Sequence, residues 1–118
     1  MRDYMLLVNL FDEGAPGAST NIQDGGSDIA LEVTDQDAVY EEFLIRCQFA
    51  NDTTLKGIVN RVGDNPQTTL AKEGNDLIGG SAYMLRVQVF HGETWNFQIG
   101  TDGAIAFMQI ARALAGGN

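Results

Sequence analysis

Apolar and polar side chains alternate most sharply over Ser81–Ile99. Tyr83, Leu85, Val87 and Val89 fall on one face of an extended chain, and Met84, Arg86, Gln88 and Phe90 on the other. Beyond His91-Gly92-Glu93-Thr94, Trp95, Phe97 and Ile99 alternate with Asn96 and Gln98. A period of two marks half-buried antiparallel strands. Gly92 stands where a tight turn needs positive φ. The stretch therefore predicts a hairpin that carries the only tryptophan into the centre of the core.

The same reading extends to the rest of the chain. Tyr4–Phe11 is apolar on both faces and predicts a first strand that is central or covered on both sides. Asp12–Ser27 predicts a long Gly/Ala/Ser/Asp-rich loop, longer than usual connections and so mobile, functional or laid on a neighbour. In Ile29–Thr34, Ile29, Leu31 and Val33 point inward, and a turn at Asp35-Gln36-Asp37 follows. Ala38–Phe49 fits a strand with Val39, Phe43, Ile45, Cys47 and Phe49 on one face, or a helix with a Val39, Phe43, Cys47, Ala50 stripe. The strand is preferred because β-formers dominate.

Leu55, Ile58, Val59 and Val62 recur at helical spacing, with Asp52 or Thr53 as N-cap and Gly63 as a stop, so Asn51–Val62 predicts a short helix. Pro66 marks a turn over Asp64–Gln67, Thr68–Lys72 reads as an edge strand, and Glu73–Gly80 as a loop. After a turn at Gly100-Thr101-Asp102-Gly103, Ala104–Ala115 predicts a C-terminal helix with a Phe107, Ile110, Ala111, Leu114 stripe stopped by Gly116 and Gly117. A last strand is the alternative there.

Composition narrows the picture. A chain of 118 residues is expected to form one domain, 1–118, with a core that needs neither disulfide nor metal. Fourteen glycines against two prolines favour a turn-rich β fold. The apolar centre near the N-terminus is too short for a signal-peptide core and reads as a strand. No run approaches 18 apolar residues, so no membrane contact is expected. Cys47 is the lone cysteine, and a reducing, cytoplasmic setting is the expectation. The net charge of −9 is uneven: from Asp3 to Ile45 there are ten acids and no lysine or arginine, whereas the remainder nets +1. Such a stretch repels phosphate and suits either simple solubility or a basic protein partner.

Catalytic and cofactor signatures are missing. His91-Gly92-Glu93 has the front half of a zinc-deaminase motif without the Pro-Cys-x-x-Cys partner. One histidine and one cysteine do not make the usual zinc site. Ser19, Ser27 and Ser81 lack a nucleophile elbow. Asp24/Asp28 and Asp35/Asp37 fail the calcium-loop spacing and read as turn formers. Phosphate-binding glycine motifs and basic–aromatic patches are absent, so no cofactor and no direct nucleic-acid contact are expected. Asn51-Asp52-Thr53 matches a glycosylation sequon by coincidence.

What remains is surface. Phe11, Asp12 and Glu13 at the mouth of the long loop, Glu41 and Glu42, and Phe90 with His91 at the hairpin tip are the candidate contact residues. The expected fold is a mainly β, compact antiparallel sandwich or barrel of about six strands, with a short middle helix and a C-terminal helix. The expected role is a non-enzymatic structural or assembly protein, a homo-oligomer working through protein–protein contacts. A virion component, such as a capsid decoration or head–tail protein, would suit it, assembled in the cytoplasm. The alternatives are an acidic inhibitor covering a partner's nucleic-acid-binding surface, and a small-ligand-binding barrel with a cavity lined by Trp95 and Tyr83.

Overall fold

The structure is a computed structural model that describes residues 3–17, 19–70, 77–100 and 103–114. Ten strands run through it: β1 Tyr4–Glu13, β2 Gln23–Asp24, β3 Ser27–Asp28, β4 Leu31–Glu32, β5 Tyr40–Phe49, β6 Leu55–Arg61, β7 Gln67–Leu70, β8 Ala82–Phe90, β9 Glu93–Ile99 and β10 Ile105–Ala113. Two four-stranded antiparallel sheets are formed, in the orders β1-β10-β5-β8 and β4-β9-β6-β7, with β2-β3 as a small ribbon. From β4 onward the chain changes sheet at every step except β6 to β7. That double Greek-key threading of two facing sheets is the jelly-roll arrangement.

The core lies between the sheets and is built by alternation. In the first sheet the rows Val8–Ile110–Ile45 and Leu10–Met108–Cys47 face inward and are buried. In the second, Leu55 opposite Ile99 and Gly57 opposite Phe97 do the same. Phe43 and Phe49 on β5 and Leu31 on β4 complete the contact, and Ile22 and Ile29, flanking the β2–β3 ribbon, plug into it. Burying side chains of this size contributes roughly 1.5–3 kcal/mol each.

Several expectations are corrected. Among the described residues there is no helix. The predicted helix Asn51–Val62 is strand β6, and Ala104–Ala115 is strand β10 as far as Ala113. Eight sandwich strands replace the expected six or so. Ser81–Ile99 does supply two strands with the expected faces, but they do not pair. β8 bonds to β5 in one sheet, and β9 to β4 and β6 in the other. The turn at His91-Gly92, with Gly92 at φ 90°, is a corner between layers rather than a hairpin tip. β1 is an edge strand, not a covered one, because β10 occupies the centre. Val39 precedes β5 and is 72% exposed, so it does not join the inner face.

Other expectations hold. Ala38–Phe49 is extended as preferred, with Phe43, Ile45, Cys47 and Phe49 inward. Ile29 and Leu31 are buried and Val33 packs against the core. Asp35 and Asp37 form a turn in which Asp35 Oδ1 accepts the Asp37 N–H at 3.0 Å. Within the predicted long loop, the two-residue turn Gly25-Gly26, with φ 64° and 85°, closes the β2–β3 ribbon. Positive φ at both positions gives the turn that matches strand twist. Gln67–Leu70 lies on an edge as expected for Thr68–Lys72. Residues 71–76, Thr101, Asp102 and the 115–118 stop lie outside the described residues.

Candidate functional site

The seven candidate contact residues do not form one site. Phe11 stands on β1 opposite Phe107 and is 56% exposed. Phe90 stands on β8 opposite Tyr40, with ring centroids 5.8 Å apart, and is 44% exposed. Both point away from the core on the same face of the first sheet, at diagonally opposite corners. Asp12, at φ 51°, and Glu13 are exposed where β1 ends. His91 is exposed at the layer-changing corner, and its backbone N–H donates to the Val39 carbonyl at 2.9 Å.

Glu41 and Glu42 point to opposite sides, as neighbours on a strand must. Glu42 faces outward, 3.4 Å from Arg86. Glu41 faces inward and is nearly covered. Its Oε1 accepts the backbone N–H groups of Thr34 at 2.9 Å and Asp35 at 3.1 Å. Its Oε2 lies 2.8 Å from Arg112 Nε, in a contact bent away from hydrogen-bond linearity that leaves these two atoms only each other. The Arg112 guanidinium lies over the Phe43 ring, 5.4 Å from its centroid. Glu41 thus ties the β4–β5 turn to β10 and is a structural latch rather than a surface acid.

A second buried acid, Glu93, was not picked out by sequence. It opens β9 and is 4% exposed. Its Oε1 accepts the Phe90 N–H at 2.9 Å and the Trp95 indole N–H at 3.2 Å, while Oε2 meets Arg61 Nε at 2.8 Å. Burial alone would raise this carboxyl, but the Phe90, Arg61 and Trp95 donors outweigh it and hold it below its ordinary range. An acid directly after a corner glycine is the signal that could have revealed it, since such a residue can cap the turn behind it.

Glu93 also positions Trp95. The indole is fixed by that N–H bond at one end and lies on Gly57 at the other: a methyl built on Gly57 would come 2.9 Å from ring atoms Cε3 and Cζ3. Trp95 forms part of the floor of a cleft of about 560 Å³ between the β7 and β8 edges. Ile45, Leu85, Val87 and Phe97 supply apolar lining, with Thr69, Arg86 and Gln88 as polar members. Tyr83, expected beside Trp95, does not line it; its hydroxyl accepts the Ile78 N–H at 2.9 Å.

The remaining chemical groups are dispersed. Cys47 is fully buried in mid-strand, and burial pushes its thiol up to about 12. Asn21 and Gln23 donate to Asp28 at 2.9 and 3.0 Å and hold its carboxyl below the usual range. Among the described residues no three histidine, cysteine or acidic side chains come together as a metal cluster.

Compared with the outer face of the second sheet, that of the first carries more of the exposed large apolar side chains. Tyr4, Leu6, Phe11, Tyr40, Met84 and Phe90 all project from it, each at least 38% exposed. Its strand-borne charges away from the β1 end are Glu42, Arg46 and Arg86. The outer face of the second sheet is instead an amide ladder: Asn60 donates to Asn96 at 3.2 Å, Asn96 to the Ile29 carbonyl at 2.9 Å, and Gln98 to Asn21 at 2.9 Å.

No family model matches the chain, and no curated protein does. Among solved structures it is similar to the Clostridium thermocellum endo-1,4-β-D-xylanase 10B CBM22-1–GH10 modules complexed with xylohexaose, with a TM-score of 0.54 and 10% identity. It is also matched to the structure of infectious bursal disease virus Gx strain, with a TM-score of 0.38 and 14% identity. These matches cover 99% and 98% of this chain, which spans only 25% and 34% of the respective longer chains. At 10% identity, the likeness to that quarter of the xylanase chain is one of fold alone.

Proposed function

We propose that this protein is a non-enzymatic assembly protein that acts through protein–protein contacts as a homo-oligomer. The observation that carries the reading is that exposed Tyr4, Leu6, Phe11, Tyr40, Met84 and Phe90 all project from the outer face of the first sheet. Apolar surface gathered on one side of a small acidic domain is what a partner covers. A virion component, such as a capsid decoration or head–tail protein, is the setting we favour, because double-sheet jelly rolls serve in capsids as well as in lectins; this step is an analogy of fold. The test compares wild type with the triple variant Leu6→Lys/Met84→Lys/Phe90→Lys by light scattering. The wild type should assemble and the variant should be monomeric with unchanged circular dichroism; a monomeric wild type would refute the reading.

A small-ligand role is the second reading, and the Trp95 cleft favours it. Quenching or blue-shift of the single tryptophan on titration with an apolar dye would support it, and an unchanged spectrum would remove it. The acidic-inhibitor reading loses Glu41, which is held by Arg112 and the Thr34–Asp35 turn.

A further inference from the structure

We infer that two copies of this chain join edge to edge through β1, in antiparallel register about a two-fold axis, so that the first sheets form one continuous eight-stranded sheet. The inference rests on the assembly reading above and names its geometry. Three observations carry it.

Among the described residues, β1 bonds to β10 on one side and to no strand on the other. Its outer row of backbone donors and acceptors faces water and is a template on which another strand can pair. Edge strands are normally defended by lysine, proline, inward charge or a β-bulge that twists the edge away. Over Tyr4–Phe11 there is no lysine, proline or charge; the protection β1 has is the bulge between Leu6 and Val8 and the two acids, Asp12 and Glu13, at its end.

Exposure along β1 is two-sided. Leu6 pairs with Ala111 on the outer face and is 53% exposed; Met5 pairs with Arg112 on the inner face and is still 42% exposed. The opposing edge strand β4 has only two residues. A ligand lying on one face would cover one of these side chains. A second sandwich placed alongside covers both.

Charge confines self-contact to this edge. The chain carries −9, so two copies repel over most of their surfaces. Tyr4–Phe11 is free of charge, and in the antiparallel register that sets Tyr4 opposite Glu13 no acid of β1 lies opposite another. An identical strand is therefore tolerated here, and self-pairing of one patch closes as a two-fold dimer rather than a fibre.

The test is sedimentation equilibrium on the full chain, with Leu6→Lys at the edge, Met84→Lys/Phe90→Lys on the far side of the same sheet, and Val62→Lys at the fully exposed β6–β7 turn as control. Edge pairing predicts a wild-type mass of twice 12.8 kDa, halved by Leu6→Lys and retained in the other two variants. Hydrogen exchange of the β1 amides should be slow in the dimer and lose that protection in Leu6→Lys. A wild-type oligomer that survives Leu6→Lys and is dissolved by Met84→Lys/Phe90→Lys would overturn edge pairing while leaving the assembly reading intact. A wild-type monomer would overturn both.

Discussion

Trp95 lies across Gly57 so closely that the glycine has no room for a side chain: a methyl there would sit 2.9 Å from two ring carbons and 3.3 Å from Thr69 Cγ2. The inward position on β6 is filled by a side chain from its neighbour β9. Gly57→Ala should therefore destabilise the fold by about 1–3 kcal/mol through overpacking. Urea titration followed by the emission of the single tryptophan measures this, and the native spectrum should shift with it.

The same contact explains what sequence could and could not reveal. The inward positions of β6 are Leu55, Gly57 and Val59, so glycine breaks the period of two just where it matters. What remains is Leu55, Ile58, Val59 and Val62, a helical spacing. In β10, the register slips relative to β5 between Ile105 and Phe107, which places Ile105 and Met108 on one side, again three apart. Strands without such faults, β5, β8 and β9, were legible with their faces. Sheet membership was not, because a strand that pairs with its neighbour and one that crosses to the other layer show the same alternation. Of the candidate contacts, Phe11, Glu42 and Phe90 stand on the outer face of the first sheet. Glu41 was misjudged because alternation cannot distinguish an inward acid with a latch from an exposed one.

Glu93 should make stability depend on pH. Its folded carboxyl titrates below its ordinary value of 4.5, so its contribution is complete above 4.5 and is lost as pH falls through the lower folded value. The gap in unfolding free energy between wild type and Glu93→Gln should be about 1–3 kcal/mol near neutrality and narrow progressively in acid below pH 4.5. A gap that stays constant into acid would remove the charge from the explanation.

The Glu41–Arg112 contact joins β5 to β10 inside the first sheet's inner layer. Glu41→Gln should cost about 1–3 kcal/mol, since two backbone N–H groups lose a charged acceptor. A double-mutant cycle with Arg112→Met should show a coupling of about 0.5–3 kcal/mol. Independent, additive losses would mean that the two side chains do not cooperate.

Cys47 should be inert in the native protein, because its thiol is buried and pushed up to about 12. An aromatic disulfide reagent at mildly alkaline pH should find no reactive thiol until denaturant is added, then one per chain. Stability should be unaffected by this group below pH 9 and fall as pH rises from there toward 12.

The account as a whole turns on whether the uncovered side of the first sheet meets another polypeptide. Sedimentation equilibrium of the unmodified chain across a wide concentration range, at moderate salt to screen its negative charge, decides this most directly. The account predicts mass in multiples of 12.8 kDa that rises with concentration. A single 12.8 kDa species at every concentration would contradict it.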